Sequence, residues 1–210
     1  MGLGSIWKNS YNLERVEIVG GLFAMVVLFW MIVNIDDVQT KSFADVYLTM
    51  IIISGFIYAG KSARISGRHF QTVGLGKNDN TAIIAVVFGV VVAMFALNAT
   101  PFNTFPLGVI ELLTSQIVMI AVFAAVAEEI FFRSTLIPTL VENFKSDGIG
   151  IALGSLAFGV FHWQAYGGEM SLMWMAVAFS LVAQFGNMAF KSTAFGYALH
   201  ISWNYMVVTG

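Results

Sequence analysis

The chain has no cysteine, three prolines and few charges, and each shortage excludes something. Without cysteine there is no disulfide, no thiol catalysis and no thiolate metal site. The prolines are Pro101, Pro106 and Pro138, and none interrupts the apolar runs that carry the C-terminal histidines. Charged residues are 10% of the chain against 58% hydrophobic, with a mean hydropathy of +0.81, so there is too little polar surface to cover a water-soluble globule of 210 residues. Basic residues form no stripe, which argues against a nucleic-acid partner. The N-terminal segment 1–15 is too polar for a signal core and no small-residue cleavage site follows, so the first apolar run is expected to stay in the protein. No internal repeat is visible.

What is present is a series of apolar runs. Crossing about 30 Å of hydrocarbon takes about 20 apolar residues as a helix, and about seven runs approach that length. The expected spans are 16–35, 44–60, 81–99, 107–132 (extending past Pro138 toward Phe144), 148–164, 170–189 and 192–208. The predicted fold is therefore all-α, a polytopic transmembrane helical bundle forming one membrane domain over 1–210. With a cytoplasmic N-terminus, the inner segments hold Lys8, Arg15, Lys61, Arg64, Arg68, Lys77, Lys145 and Lys191, and the outer loops only Lys41. That bias predicts a multi-pass integral membrane protein with its N-terminus inside and lipid as its surroundings. The basic connection from Lys61 to Asn80, which contains His69, is expected to be cytoplasmic.

Three polar groupings interrupt the runs. Glu128 and Glu129 end the apolar stretch 117–127, and Arg133 follows four residues later. An ionised side chain at bilayer depth costs from about 3 to over roughly 10 kcal/mol, so carboxylates kept there usually have a use. In an α-helix Glu128 shares a face with Phe132, whereas Glu129 and Arg133 share a face rotated by about 100°. A structural pair between Glu129 and Arg133 would leave Glu128 free to titrate. Phe158 and His162 are four residues apart, as are His200 and Asn204, so each couple shares one helix face.

Depth tests whether these groups can meet. At about 1.5 Å per residue, Glu128 lies roughly 24 Å from a helix end at Phe144, His162 about 21 Å from Gly148, and His200 about 12 Å from Ser192. The first two are nearly level. His200 reaches them only if its helix begins earlier or the helices differ in tilt. Trp163 and Tyr166 read as an interfacial aromatic belt. Gly150 and Gly154 read as a close-packing pair, with Ala121, Ala124 and Ala125 serving the same purpose before the glutamates.

The order EExxxR, FxxxH, HxxxN, on three successive motif-bearing segments from Glu128 to Asn204, resembles the CAAX protease and bacteriocin-processing family of intramembrane proteases, which includes the Ras-converting endopeptidases. The first three helical runs, within 1–100, carry no matching motif; 107–208 carry them all. The resemblance implies hydrolysis of a peptide bond in a membrane-associated or prenylated peptide. Glu128 would activate water, His162 would hold and polarise it, and His200 with Asn204 would stabilise the oxyanion. Glu129, Arg133 and Phe158 would support them. A carboxylate among apolar groups suits a base, and His and Asn donors suit a developing negative oxygen. One glutamate and two histidines, Glu128, His162 and His200, could also ligate a Zn²⁺ that keeps a position open for water, although no HExxH helix is present.

Two rival classes share parts of the pattern. A proton-coupled transporter would place similar residues at bilayer depth but predicts repeats and broken helices, and neither is seen. A non-catalytic immunity or scaffold protein on the same fold would keep the motifs without turnover.

Overall fold

A computed structural model describes residues 15–34, 36, 38–64, 84–93, 119–190 and 192–209. Among these residues all regular structure is helical. In chain order α1 is Arg15–Asn34, α2 Val38–Arg64, α3 Ile84–Ala93, α4 the continuous stretch 119–144, α5 Asp147–Ala165, α6 Met170–Phe190 and α7 Ala194–Thr209. Within the described residues the expected and observed helices coincide, except that α2 runs beyond 44–60 at both ends; 81–83 and 94–99 of the expected third span and 107–118 of the fourth lie outside the described residues. Polar residues such as Gln39, Thr40 and Lys61 are outside the apolar run but retain helical backbone, because hydrogen bonding to i−4 does not depend on hydropathy. Residues 65–83, with His69, Arg68 and Lys77, lie outside the described residues. So do 1–14 with Lys8, 94–118 with Pro101 and Pro106, and Lys191.

By length and composition one described helix, Met170–Phe190, is apolar and long enough to cross a membrane; Gly21–Asn34 and Ile84–Ala93 are shorter apolar helices. The outer faces are apolar as well. Leu22, Phe23, Val26, Phe29 and Trp30 of α1 are exposed, as are Trp174, Val182 and Phe185 of α6.

The centre of the fold is α4, which contacts α1, α2, α5 and α7. Its small residues Ala121, Ala124, Ala125 and Ala127 are all buried, which lets neighbouring backbones approach. Ala127 packs into a cluster with Ala24 and Leu28 of α1 and Ala44 and Ile51 of α2. One turn further on, Phe132 joins Met50 of α2, Phe158 of α5 and Ala176 of α6. The C-terminal part of α4 lies against α5 as the small-residue spacing predicts. A Cβ on Gly150 would collide with the Val141 backbone, and one on Gly154 with the Ile137 side chain.

Two stretches of α4 are π-helical, Met119–Ala124 and Glu129–Leu136. The second carries Glu129 and Arg133, and Thr135 there donates its hydroxyl to the Ile130 carbonyl five residues back at 2.9 Å. In a π turn each residue rotates through less than the α-helical angle of about 100°. The wider turn also precedes Pro138, whose ring would crowd the carbonyl of residue i−4 in a regular helix. The helix continues through Pro138 to Phe144 and stops at Lys145, which takes a left-handed conformation with φ 52°.

Candidate active site

Glu128, Glu129 and Arg133 are all buried, at 1%, 1% and 0% exposure. Charges that deep need opposite charges close by. Arg133 lies 3.4 Å from Glu129 Oε1, and its guanidinium stacks over the Phe158 ring with Cζ 4.0 Å from the centroid. The expected Glu129–Arg133 pair is therefore present, and Phe158 covers it.

Helix α5 brings His162 to the same place. Its ring packs on Phe158 with centroids 4.3 Å apart, and its Nδ1 lies 2.9 Å from the Phe158 carbonyl oxygen. A carbonyl only accepts, so Nδ1 carries the proton and donates. Nε2 then faces Glu128 Oε2 at 3.3 Å.

Helix α7 supplies His200, which touches both glutamates. Its Nδ1 is 2.8 Å from Glu129 Oε1 and its Nε2 is 3.5 Å from Glu128 Oε2. Glu129 thus has a second partner besides Arg133, one that belongs to the chemistry of the site. Two imidazole Nε2 atoms converge on a single oxygen of Glu128. Oε2 nonetheless has no hydrogen-bond partner among the described residues, so it keeps capacity for a water.

The depth estimate had left His200 short of the others. Helix α7 begins at Ala194, no earlier than expected, but its first turn starts from inside the protein: Ser192 is 1% exposed and Thr193 7%. Counting residues from a surface end therefore placed His200 too shallow. The buried turn satisfies its own backbone. The Ser192 N–H donates to the Asn187 carbonyl at 3.0 Å, Ala194 N–H to Ser192 Oγ at 3.1 Å, and Gly196 N–H to Asn187 Oδ1 at 2.7 Å. Irregular backbone at membrane depth is tolerated in such a protein-buried, satisfied setting.

Asn204, one turn after His200, lines a cavity with His162, His200, Phe158, Tyr166, Phe179 and Trp203. His162, His200 and Asn204 therefore share this cavity, and Glu128, which does not line it, lies directly against the two histidines. Four neighbours carried no motif. Tyr166 packs its ring 5.5 Å from that of His162 and lines the cavity. Tyr47 of α2 packs on both the cluster of Ala127 and the cluster of Phe132 and Phe158, which flank Glu128 along α4. Gly196 lies so close that an added Cβ would stand 2.8 Å from both Glu129 Oε2 and Asn187 Nδ2, which brings Asn187 to the back of Glu129. The one sequence signal for Tyr47 was its helical register with the inward residues Ala44, Met50 and Ile51; for Asn187 it was an amide inside an apolar run.

Donors on a tetrahedral Zn²⁺ at about 2.0–2.1 Å stand roughly 3.3 Å apart, close to the two distances around Oε2. Among the described residues, however, no group of three or more His, Cys, Asp or Glu side chains has the arrangement of a metal site.

Residues 110–206 match the model of the family described as Rce1-like, Type II CAAX prenyl endopeptidase Rce1-like. The match covers just under half of the chain and supports its resemblance to the CAAX protease family, whose members are membrane-embedded endopeptidases. No curated protein and no solved structure gives a match.

Proposed function

We propose that the chain is a multi-pass intramembrane endopeptidase in which Glu128 activates water against a peptide bond of a membrane-associated or prenylated peptide. The observation that carries this reading is the approach of two imidazole Nε2 atoms, at 3.3 and 3.5 Å, to one buried carboxylate oxygen that still lacks a hydrogen bond. A water at that oxygen gives one proton to Glu128 while its own oxygen attacks the substrate carbonyl. Glu128 then passes the proton to the departing amine, so the carboxylate returns unchanged.

Glu129 supports the part assigned to His200: its Oε1 accepts from Nδ1 at 2.8 Å and fixes the ring with Nε2 turned toward Glu128, at the cavity where His200 and Asn204 would stabilise the oxyanion. Asn204 adds an amide donor from the next turn of the same helix face. His162, held by the Phe158 carbonyl, orients and polarises the water.

The exposed apolar faces of α1 and α6 support a polytopic placement in lipid, and the basic bias of the sequence supports a cytoplasmic N-terminus. Beside the polar groups the cavity is walled by Met175, Phe179 and Trp203, which suits a lipidated or strongly apolar peptide. The test is cleavage of a fluorogenic, lipid-anchored peptide by the purified protein in liposomes, with matched prenylated and unprenylated substrates. Absence of turnover on every such peptide would favour a non-catalytic role for the same fold.

A further inference from the structure

Asn187 lies near the C-terminal end of α6, is 4% exposed, and holds the start of α7 through both of its oxygens. Its main-chain carbonyl accepts from the Ser192 N–H at 3.0 Å and its side-chain Oδ1 from the Gly196 N–H at 2.7 Å. An N–H in the first turn of a helix has no partner within that helix, so the amide oxygen caps α7 from a neighbouring element. The two helices are close at this point: a Cβ on Gly186 would run into the Phe195 ring. Apolar contacts of that kind hold α6 to α7 without fixing how far α7 slides or turns, whereas a hydrogen bond weakens steeply as its geometry departs from ideal. The other end of the amide faces the site. Nδ2 is buried with no hydrogen-bond partner among the described residues. It and Glu129 Oε2 each lie 2.8 Å from the position of a Cβ on Gly196, so they are no more than twice that distance apart.

Gly196 and His200 are one turn apart and share a helix face, so the anchoring of the first turn of α7 decides where the imidazole stands. We propose that Asn187 is a positioning residue for His200: it fixes the register of α7 so that Nδ1 meets Glu129 and Nε2 meets Glu128, at 2.8 and 3.5 Å. Asn204, a further turn along, is carried by the same anchor. Asparagine suits the place because it offers an acceptor to Gly196 while presenting an N–H, and not a second carboxylate, to the side of Glu129. Asn187 does not line the cavity, so it acts through α7 and not on the substrate. The inference deepens the reading of His200 as part of a peptidase site, and its kinetic test rests on that reading.

Asn187→Leu fills the same space without the acceptor, and Asn187→Ser keeps a shorter acceptor that a water can extend to Gly196. In the liposome assay the leucine variant should lose about tenfold to a hundredfold in kcat, the scale set by small misplacements of catalytic groups, with KM unchanged. The serine variant should recover part of that loss. Ser180→Ala is the control: it breaks a buried hydrogen bond between α5 and α6, Ser180 Oγ to Ser155 Oγ at 3.1 Å, and should lower the melting temperature while leaving kcat unaltered. A second measurement needs no turnover. The Nδ1 proton of His200, 2.8 Å from a carboxylate oxygen, should resonate far downfield in NMR spectra of the wild type and of Ser180→Ala, and should move upfield in Asn187→Leu and less so in Asn187→Ser. Wild-type kcat in the leucine variant, a serine variant no better than leucine, or a His200 resonance that stays in place would each overturn the proposal. If the leucine variant fails to fold, wild-type kcat and an unmoved resonance in Asn187→Ser overturn it, and a reduced kcat with a moved resonance supports it. A wild type that cleaves no peptide, with a resonance that still moves in Asn187→Leu, would sink the peptidase reading and leave the anchoring of His200 intact.

Discussion

His200 stands between the two glutamates, with Nδ1 2.8 Å from Glu129 and Nε2 3.5 Å from Glu128. One ring therefore couples the carboxylate proposed as base to the carboxylate that pairs with Arg133.

Glu128→Gln should abolish cleavage while leaving folding and peptide binding intact. Glutamine keeps the shape of the side chain but cannot take a proton from water, and removing general-base catalysis costs typically 10²–10⁴-fold. Initial rates with saturating substrate in liposomes decide it; near wild-type turnover would move the base to another residue.

Asn204→Ala should be milder than Glu128→Gln, at about a hundredfold to a thousandfold in kcat, the usual effect of losing one oxyanion donor. His200→Ala should exceed it, since that change also strips Glu129 of a partner 2.8 Å away. Comparing kcat across the three variants tests the order. An Asn204 variant as inactive as the Glu128 variant would assign the amide to more than oxyanion binding.

Arg133→Ala should destabilise the protein by roughly 3–5 kcal/mol, because it leaves the fully buried Glu129 short of its cation. Thermal unfolding in detergent reads this directly. Retained stability with lost activity would make Arg133 a substrate-binding group.

Gly196→Ala should impair both packing and activity. Its Cβ would stand 2.8 Å from Glu129 Oε2 and from Asn187 Nδ2, and such overpacking costs typically 1–3 kcal/mol. Gly55→Ala is the control. Nothing lies within 4 Å of a Cβ there, and the site is within α2, so alanine should be neutral or stabilise by roughly 0.5–1 kcal/mol. Melting temperatures of the two variants should therefore move in opposite directions.

Exhaustive dialysis against a zinc chelator should leave turnover unchanged if Glu128 alone activates the water. Activity that is lost on chelation and restored by added Zn²⁺ would place the metal on Glu128, His162 and His200 instead.

Sequence by itself determined the helices and the identity of the polar residues inside them. Long apolar runs with few charges and three prolines favour helices, in which the backbone closes its hydrogen bonds within each segment. The spacing Glu129–Arg133 foretold an ion pair, and Phe158–His162 a shared helix face, because residues four apart are neighbours on a helix. Tertiary structure decided what local spacing cannot encode. The depth of His200 depends on a turn at Ser192 and Thr193 buried by surrounding helices, and no count of residues along α7 contains that. Tyr166 reads as an interfacial aromatic, and only the packing of α5 against α6 and α7 places it at the cavity that it lines with Phe179 and Asn204. Tyr47 is one tyrosine in an unmarked apolar helix, and only the packing of α2 on α4 brings it to Glu128. Periodicity reports which face of a helix looks inward; which residues of other helices it then meets is set by how several such faces fit together.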